Sequence, residues 1–313
     1  MKTLIAVFFL VSVSCASLAQ NNKLYPFKTD ASFNQSLSKI IHECGLDSSF
    51  DAGEDGRLKI SLAVIDLNQK VPVIAGVNMD SFIYPASVYK MYVAMEILKQ
   101  VSEKKYSLFK NYVVHSPNDV DHSSEISWDP RPLLRDGDTV TIQYLLDLMI
   151  TRSDNSAANC LIDVAGRKNI NNTMHQYGWY GSEVTRKYLS RKLEDPGFDT
   201  VRSTVTNARH AAEFMYLIQT NRLVNPWVSK KLKIFLGQQL DTTKLSTGLP
   251  SNAMFYHKSG WWSYFTNDVG IVDDGNIKYI IALFTPLEEE SARPRMKLLS
   301  QKVYLLMKER SKF

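Results

Sequence analysis

The chain has 313 residues, enough for one large domain or two closely packed smaller ones, and it can bury roughly three quarters of its unfolded surface. Hydrophobic residues make up 44% and charged residues 22%, a balance that excludes a disordered, collagen-like or coiled-coil chain. The formal net charge of +5 is mild. Its one Lys cluster (Lys99, Lys104, Lys105, Lys110) reads as a solvated helix end, and no nucleic-acid motif accompanies it.

The first residues read as an export leader. Met1-Lys2-Thr3 is a short basic start, residues 4–13 form an apolar run too short to span a bilayer, and Ser17-Leu18-Ala19 places small residues before a cut ahead of Gln20. The rival reading makes Cys15 a lipidated residue. The expected product is exported, periplasmic or secreted, with no stable membrane span and acting as a monomer. Cys44 and Cys160 then remain, as a disulfide or as two buried thiols. No Cys/His spacing of the zinc type occurs, so no metal and no cofactor is expected.

Residues 30–44 read as a helix stopped by Gly45. Residues 58–67 and 71–77 read as the two strands of a hairpin, with Pro72 tolerated at an edge. A long apolar-periodic helix follows Ser87 through Leu98. The middle, about 88–250, is mainly helical, with helices at 142–150 and 155–164 flanking a break at Arg152-Ser153-Asp154, another at 207–220, and a loop at 188–201. Strands at 254–259, 267–272 and 278–285 follow, the last two joined by an Asp273-Asp274-Gly275-Asn276 turn, and a helix at 291–308 closes the chain. The expected fold is α/β of the α+β type. Strands from both ends (lobe 20–86 and 251–313) form one antiparallel sheet flanked by helices, with an inserted helical lobe (87–250) and a groove between the two.

Ser87-Val88-Tyr89-Lys90 places a hydroxyl and an amine three apart, on one face of a helix start, where the amine can take the hydroxyl proton. The spacing alone is weak, since Ser36/Lys39, Ser102/Lys105 and Ser107/Lys110 repeat it. Two further motifs add weight. Ser153-Asp154-Asn155 is expected by chance in about one chain in twenty of this size, and Lys258-Ser259-Gly260 in about one in six.

In this order the three motifs resemble the signature elements of class A β-lactamases and penicillin-binding proteins. The segments 134–141, 152–159 and Asn267-Asp268-Val269-Gly270 are also similar to that family, and the likeness runs from about Leu58 to the C-terminus. The resemblance implies a serine hydrolase with Ser87 as nucleophile, Lys90 as its proton acceptor and Ser153 as proton relay to the leaving nitrogen. It implies that Asn155 holds the substrate amide, that Lys258 and Ser259 bind a substrate carboxylate, and that the amides of Ser87 and Trp261, just after Gly260, form an oxyanion hole. His257, Trp262 and Tyr264 flank this edge and read either as lining the groove or, more commonly for strand aromatics, as packing.

The family's arginine in the strand after Lys258-Ser259-Gly260 is not evident, and its deacylating glutamate is out of place. Counting back from Arg202-Ser203-Thr204 without gaps puts Ser190 where class A enzymes carry the glutamate that activates the deacylating water. Glu194 reaches that place after a small insertion; its other reading is a solvated loop charge. The substrates implied are β-lactams or cell-wall-peptide-like amides. The alternatives are a D-alanyl peptide hydrolase or other amidase, or a penicillin-binding or sensing module without turnover.

Overall fold

The computed structural model describes residues 24–123, 126–194 and 202–312; the expected leader, its expected cut ahead of Gln20 and Cys15 lie outside them. Helix α1 (Ala31–Glu43) begins at Asp30, whose carboxylate accepts from the backbone N–H groups of Ser32 and Phe33 at 2.9 and 3.2 Å. It ends where Gly45 takes φ +65°, a conformation cheap for glycine.

Six strands form one sheet in the order β1-β5-β4-β10-β9-β8: β1 (Lys28–Thr29), β4 (Ser61–Asp66), β5 (Val73–Val77), β8 (Met254–Trp262), β9 (Phe265–Asp273) and β10 (Lys278–Thr285). Chain ends meet in its middle, since β4 pairs antiparallel with β10. The strand expected at 58–67 is split: Arg57–Leu58 (β3) pairs instead with Phe50–Asp51 (β2) as a small separate ribbon. Nor is β5 the sheet edge. The two-residue β1 runs parallel outside it, and the carbonyl of Pro72 accepts from Lys28 N–H at 2.9 Å. Pro72 precedes the strand, so its missing N–H costs the ladder nothing.

Every residue of β4 is buried because both sheet faces are covered. On one face Leu62, Val64, Ile281 and Leu283 pack against Phe33 and Leu37 of α1 and Met296 and Leu299 of the closing helix α9 (Glu289–Arg310). The other face carries Ala63, Ile65, Ile280 and Ala282, which join a core built with the helices of the middle segment. Of these, α7 (Ala208–Gln219) lies directly on the sheet. Around it stand α2 (Lys90–Ser102), α3 (Ile142–Thr151), α4 (Asn155–Ala165), α5 (Arg167–Gln176) and α8 (Pro226–Leu236). A ribbon of β6 (Asn111–Val113) and β7 (Thr139–Thr141) and a one-turn helix α6 (Arg191–Glu194) are also among the described elements.

Cys44 and Cys160 are both free and buried. No helix among the described residues is long and apolar enough to cross a membrane.

Candidate active site

The site is built on the open edge of β8. Before α2 the chain makes a 3-10 turn, Ala86–Tyr89, which carries Ser87. Ala86 sits at φ +45°, a strained position for a residue with a Cβ. The turn packs so tightly on β8 that a Cβ on Gly260 would stand 2.7 Å from the Ser87 amide nitrogen and 2.9 Å from the Pro85 carbonyl oxygen. Glycine at 260 is therefore what lets the edge strand and the Ser87 amide approach each other.

Lys90, three residues on, is fully buried. Its Nζ donates to Ser153 O at 2.5 Å, Asn155 Oδ1 at 2.7 Å and Ser153 Oγ at 3.3 Å. Lys258, also fully buried, donates to the same Ser153 Oγ at 3.0 Å and to Ser259 O at 2.7 Å. Two amines thus converge on one hydroxyl. Burial, and then the neighbouring Lys90 charge, hold the Lys258 amine well below the ordinary lysine range. Ser153 reaches this place because the break between α3 and α4 puts it at φ +63°. Asp154 then caps α4 through Ala157 N–H at 2.7 Å.

Asp121 was not singled out from the sequence, yet it fixes Asn155. Its carboxylate accepts from Asn155 N–H at 2.7 Å and from Asn155 Nδ2 at 2.9 Å. The Asn155 amide is thereby oriented with its oxygen on Lys90 and one of its two N–H groups on Asp121, leaving the second N–H uncommitted to either.

A cavity of about 300 Å³ opens here, and Ser87, Ser153, Asn155, Ser259, Gly260 and Trp261 all contribute to its wall. Lys90 and Lys258 lie behind that wall. At the Ser259 end, Asp241 and Glu289 are the acidic residues among the described lining. Both are engaged by the buried Lys244, at 2.5 and 2.8 Å. Against the upward push of burial, Lys244 and the hydroxyls of Thr243 and Ser259 hold the Asp241 carboxyl well below the usual range. His257 belongs to the packing, as its sequence position implies: it is buried, stacked on Phe255 and within 2.8 Å of Asp268 Oδ1.

Glu194 is not brought to the cavity. Its side chain is fully buried, which corrects the solvated-charge reading. Oε1 accepts from Lys187 N–H at 2.5 Å and from Arg167 at 3.3 Å, and Arg186 stands 3.9 Å from Oε2. Among the described residues of this loop, Tyr188 lines the Ser87 cavity. Asn159 brackets the Tyr188 backbone, accepting its N–H at 2.7 Å and donating to its carbonyl at 3.1 Å. Neither Asp121 nor Tyr188 carries a local sequence signal, because each acts from a loop far along the chain from its partner.

Residues 46–306 match the model of the β-lactamase enzyme family. A β-lactamase of Bacteroides uniformis is 28% identical over 219 residues, spanning 63% of this chain and 69% of the relative. Among solved structures, PBP-A superposes with a TM-score of 0.74 at 19% identity, covering 90% of this chain and 98% of PBP-A. A mutant of PBP-A, solved as its acyl-enzyme complex with penicillin G, superposes with a TM-score of 0.73 at 19% identity over the same shares of the two chains. With the family match spanning most of its length, the chain belongs to the β-lactamase enzyme family.

Proposed function

We propose that the chain is a serine hydrolase of class A type that opens β-lactam rings through an acyl-enzyme on Ser87. The observation that carries this reading is the Ser153 hydroxyl held between Lys90 and Lys258, beside Ser87 in one cavity. Ser87 Oγ attacks the lactam carbonyl carbon, its proton passing to Lys90 in the neutral amine form of that side chain. The C–N bond breaks, and Ser153 hands a proton to the departing nitrogen while drawing one from its amine partners. The amides of Ser87 and Trp261 receive the developing oxyanion, each such donor being worth about 3 kcal/mol in comparable sites. Lys258 and Ser259 hold the substrate carboxylate, and the second N–H of Asn155 takes the substrate amide.

Release of the acyl group needs a base near Ser87. Among the described residues, the lining carboxylates Asp241 and Glu289 are tied to Lys244, and Glu194 is tied to Lys187, Arg167 and Arg186. We therefore read Glu194 as the anchor of the Tyr188 loop. This favours a second reading, a penicillin-binding protein whose adduct is long-lived, in line with the penicillin G adduct of the PBP-A mutant. A D-alanyl peptide hydrolase uses the same acylation machinery. The basic start and short apolar run at the N-terminus support reading it as exported, periplasmic or secreted, and we take it as a monomer.

The test is a time course of intact mass on the mature protein with excess benzylpenicillin, beside Ser87→Ala. An adduct that fades as penicillin is consumed supports a β-lactamase; one that persists supports the penicillin-binding reading. No Ser87-dependent adduct overturns both.

A further inference from the structure

Ser153 stands at φ +63° between two buried neighbours, Arg152 and Asp154. The backbone N–H groups of both neighbours donate to Leu148 O, at 3.3 and 3.2 Å, so the chain leaves α3 and folds back on its last turn. Their side chains also meet across Ser153. Arg152 Nε and Nη2 donate to Asp154 Oδ2 at 3.1 and 2.8 Å, while Asp154 Oδ1 accepts from Ala157 N–H at the start of α4. A left-handed serine is strained and persists only where its surroundings over-determine it. Here a clasp between residues 152 and 154 supplies that constraint, with Ser153 at the bend.

The rest of the guanidinium reaches the segment 129–132. Nη1 donates to Arg131 O at 2.7 Å and to Asp129 Oδ2 at 3.4 Å, and Nη2 donates to Pro132 O at 2.9 Å. With the two bonds to Asp154, these engage all five N–H groups of an arginine. The segment is fastened to α3 in turn, since Arg131 donates to Asp147 Oδ2 at 2.6 Å and to Thr151 Oγ1 at 3.0 Å. Trp128, next to Asp129, belongs to the wall of the Ser87 cavity, so one side chain ties that wall to the Ser153 bend. The side chains of Arg152, Asp129 and Asp154 are 3%, 3% and 1% exposed. Apolar side chains of like volume often fill such a space with no loss of stability. What they cannot supply is direction, and direction is what Ser153 needs, because its Oγ has to lie within reach of both Lys90 and Lys258.

Taking Ser153 as the group that hands a proton to the leaving nitrogen, we infer that Arg152 is a positioning residue for that step, its clasp on Asp154 aiming the Ser153 hydroxyl between Lys90 and Lys258. Arg152 itself touches no reacting atom. The consequence depends on the leaving group. When a C–N bond breaks, the nitrogen takes the electron pair and needs a proton to depart. When the C–S bond of a thioester breaks, the sulfur departs as a thiolate and needs none.

Two acyl donors test this: benzylpenicillin, with nitrogen leaving, and S-(phenylacetylglycyl)thioglycolate, with sulfur leaving. Both carry a phenylacetylamino group and a carboxylate. Second-order acylation constants are measured by rapid quench and intact mass on the mature protein, on Arg152→Gln and on Arg152→Lys. The lysine keeps the charge that Asp129 and Asp154 face but lacks the fork, so it reads the geometry should the glutamine variant not fold. In either variant the penicillin constant is expected to fall about 10- to 100-fold, with the thioester constant within about threefold of the parent. An arginine that served stability alone would lower both constants together. In parallel, crystal structures of the parent and Arg152→Lys, without substrate, are expected to show Ser153 Oγ beyond hydrogen-bond reach of Lys258 Nζ in the variant alone. Both constants falling together, neither falling, or Ser153 unmoved in the variant overturns the assignment. If the parent takes only one compound or neither, the crystal structures decide the clasp, and a parent that takes neither also ends the reading of Ser87 as nucleophile.

Discussion

Gly260 and Ser87 are in backbone contact: a Cβ at 260 would lie 2.7 Å from the Ser87 amide nitrogen, closer than side-chain carbons come to any such atom. The nearest atoms are all backbone, so nothing flexible can yield. Gly260→Ala must push β8 away from the 86–89 turn. Overpacking of this kind costs about 1–3 kcal/mol of stability, and misplacing one oxyanion donor costs about 3 kcal/mol of transition-state binding. The expected outcome is an acylation constant lower by about 100-fold or more in a protein that still folds, checked by benzylpenicillin acylation beside thermal unfolding.

The two amines on Ser153 Oγ give a second prediction. Lys258 is held below the ordinary lysine range by burial and by Lys90. Between its lowered folded value and the unfolded value of 10.5, the unfolded chain binds more protons, so stability rises with pH there. Lys90→Met removes the neighbouring charge, moves Lys258 back toward its ordinary value and flattens that rise. The same variant lowers acylation by about 10²- to 10⁴-fold, the usual weight of a positioned base. Urea unfolding at several pH values from neutral to alkaline reads the first effect, and adduct formation reads the second. An unchanged pH slope would separate Lys258 from Lys90.

Much of this site was legible in the sequence because motif residues are local. Ser87 and Lys90 share a turn, Ser153 and Asn155 flank a helix start, and Lys258 to Trp261 follow one strand; each motif carries its own geometry once its element forms. What joins them is long-range. Asp121 reaches Asn155 from a loop, and Asn159 selects Tyr188 from a stretch without periodicity. Counting along that loop pointed to Ser190 or Glu194, whereas among its described residues Tyr188, held by backbone bonds to Asn159, lines the Ser87 cavity. The fold shows the same division. The helix at Asp30, the turn at 273–276 and the β8–β10 strands follow from caps and alternation. The two-residue β1 beside β5 has no pattern of its own and exists through its partner.

Asp121 itself is testable. Asp121→Asn keeps the size but offers a neutral acceptor and, opposite Asn155 Nδ2, a competing donor. The Asn155 amide then loses its fixed orientation toward Lys90. Acylation is expected to fall about 10-fold, the lower range for loss of a positioning partner, with the thermal midpoint moving by only a few degrees. A drop in midpoint with no change in acylation would assign Asp121 to helix capping alone.

Glu194 distinguishes anchor from base. As an anchor, it acts through Lys187 N–H and the two arginines. Glu194→Gln retains an oxygen for Lys187 and should leave adduct decay within about threefold of the parent while lowering stability by about 1–3 kcal/mol, the cost of an unmet charged hydrogen bond. Glu194→Ala should also loosen the Tyr188 loop. A base would behave oppositely: Gln alone would extend the adduct lifetime by about 100-fold or more. Adduct lifetime by intact mass, set beside urea unfolding, decides between them.

On α7, burial shifts Glu213 and His210 in opposite directions. Burial raises the Glu213 carboxyl from 4.5 to about 7, with Trp179 Nε1 donating to it at 3.0 Å. Burial lowers His210 from 6.5 to about 4, its Nδ1 lying 2.8 Å from Ser182 Oγ. The stability Glu213 contributes is fully present below pH 4.5 and is lost as pH rises through about 7. That of His210 is present above pH 6.5 and is lost as pH falls through about 4. The two windows overlap, the slopes have opposite sign, and each shift is worth about 3 kcal/mol. In the parent they offset one another. In Glu213→Gln, stability relative to the parent is expected to climb between pH 4.5 and 7, whereas in His210→Asn it is expected to decline between pH 4 and 6.5. Urea unfolding across that range checks both, and two variants with the parent's slope would show that neither group changes its proton affinity on folding.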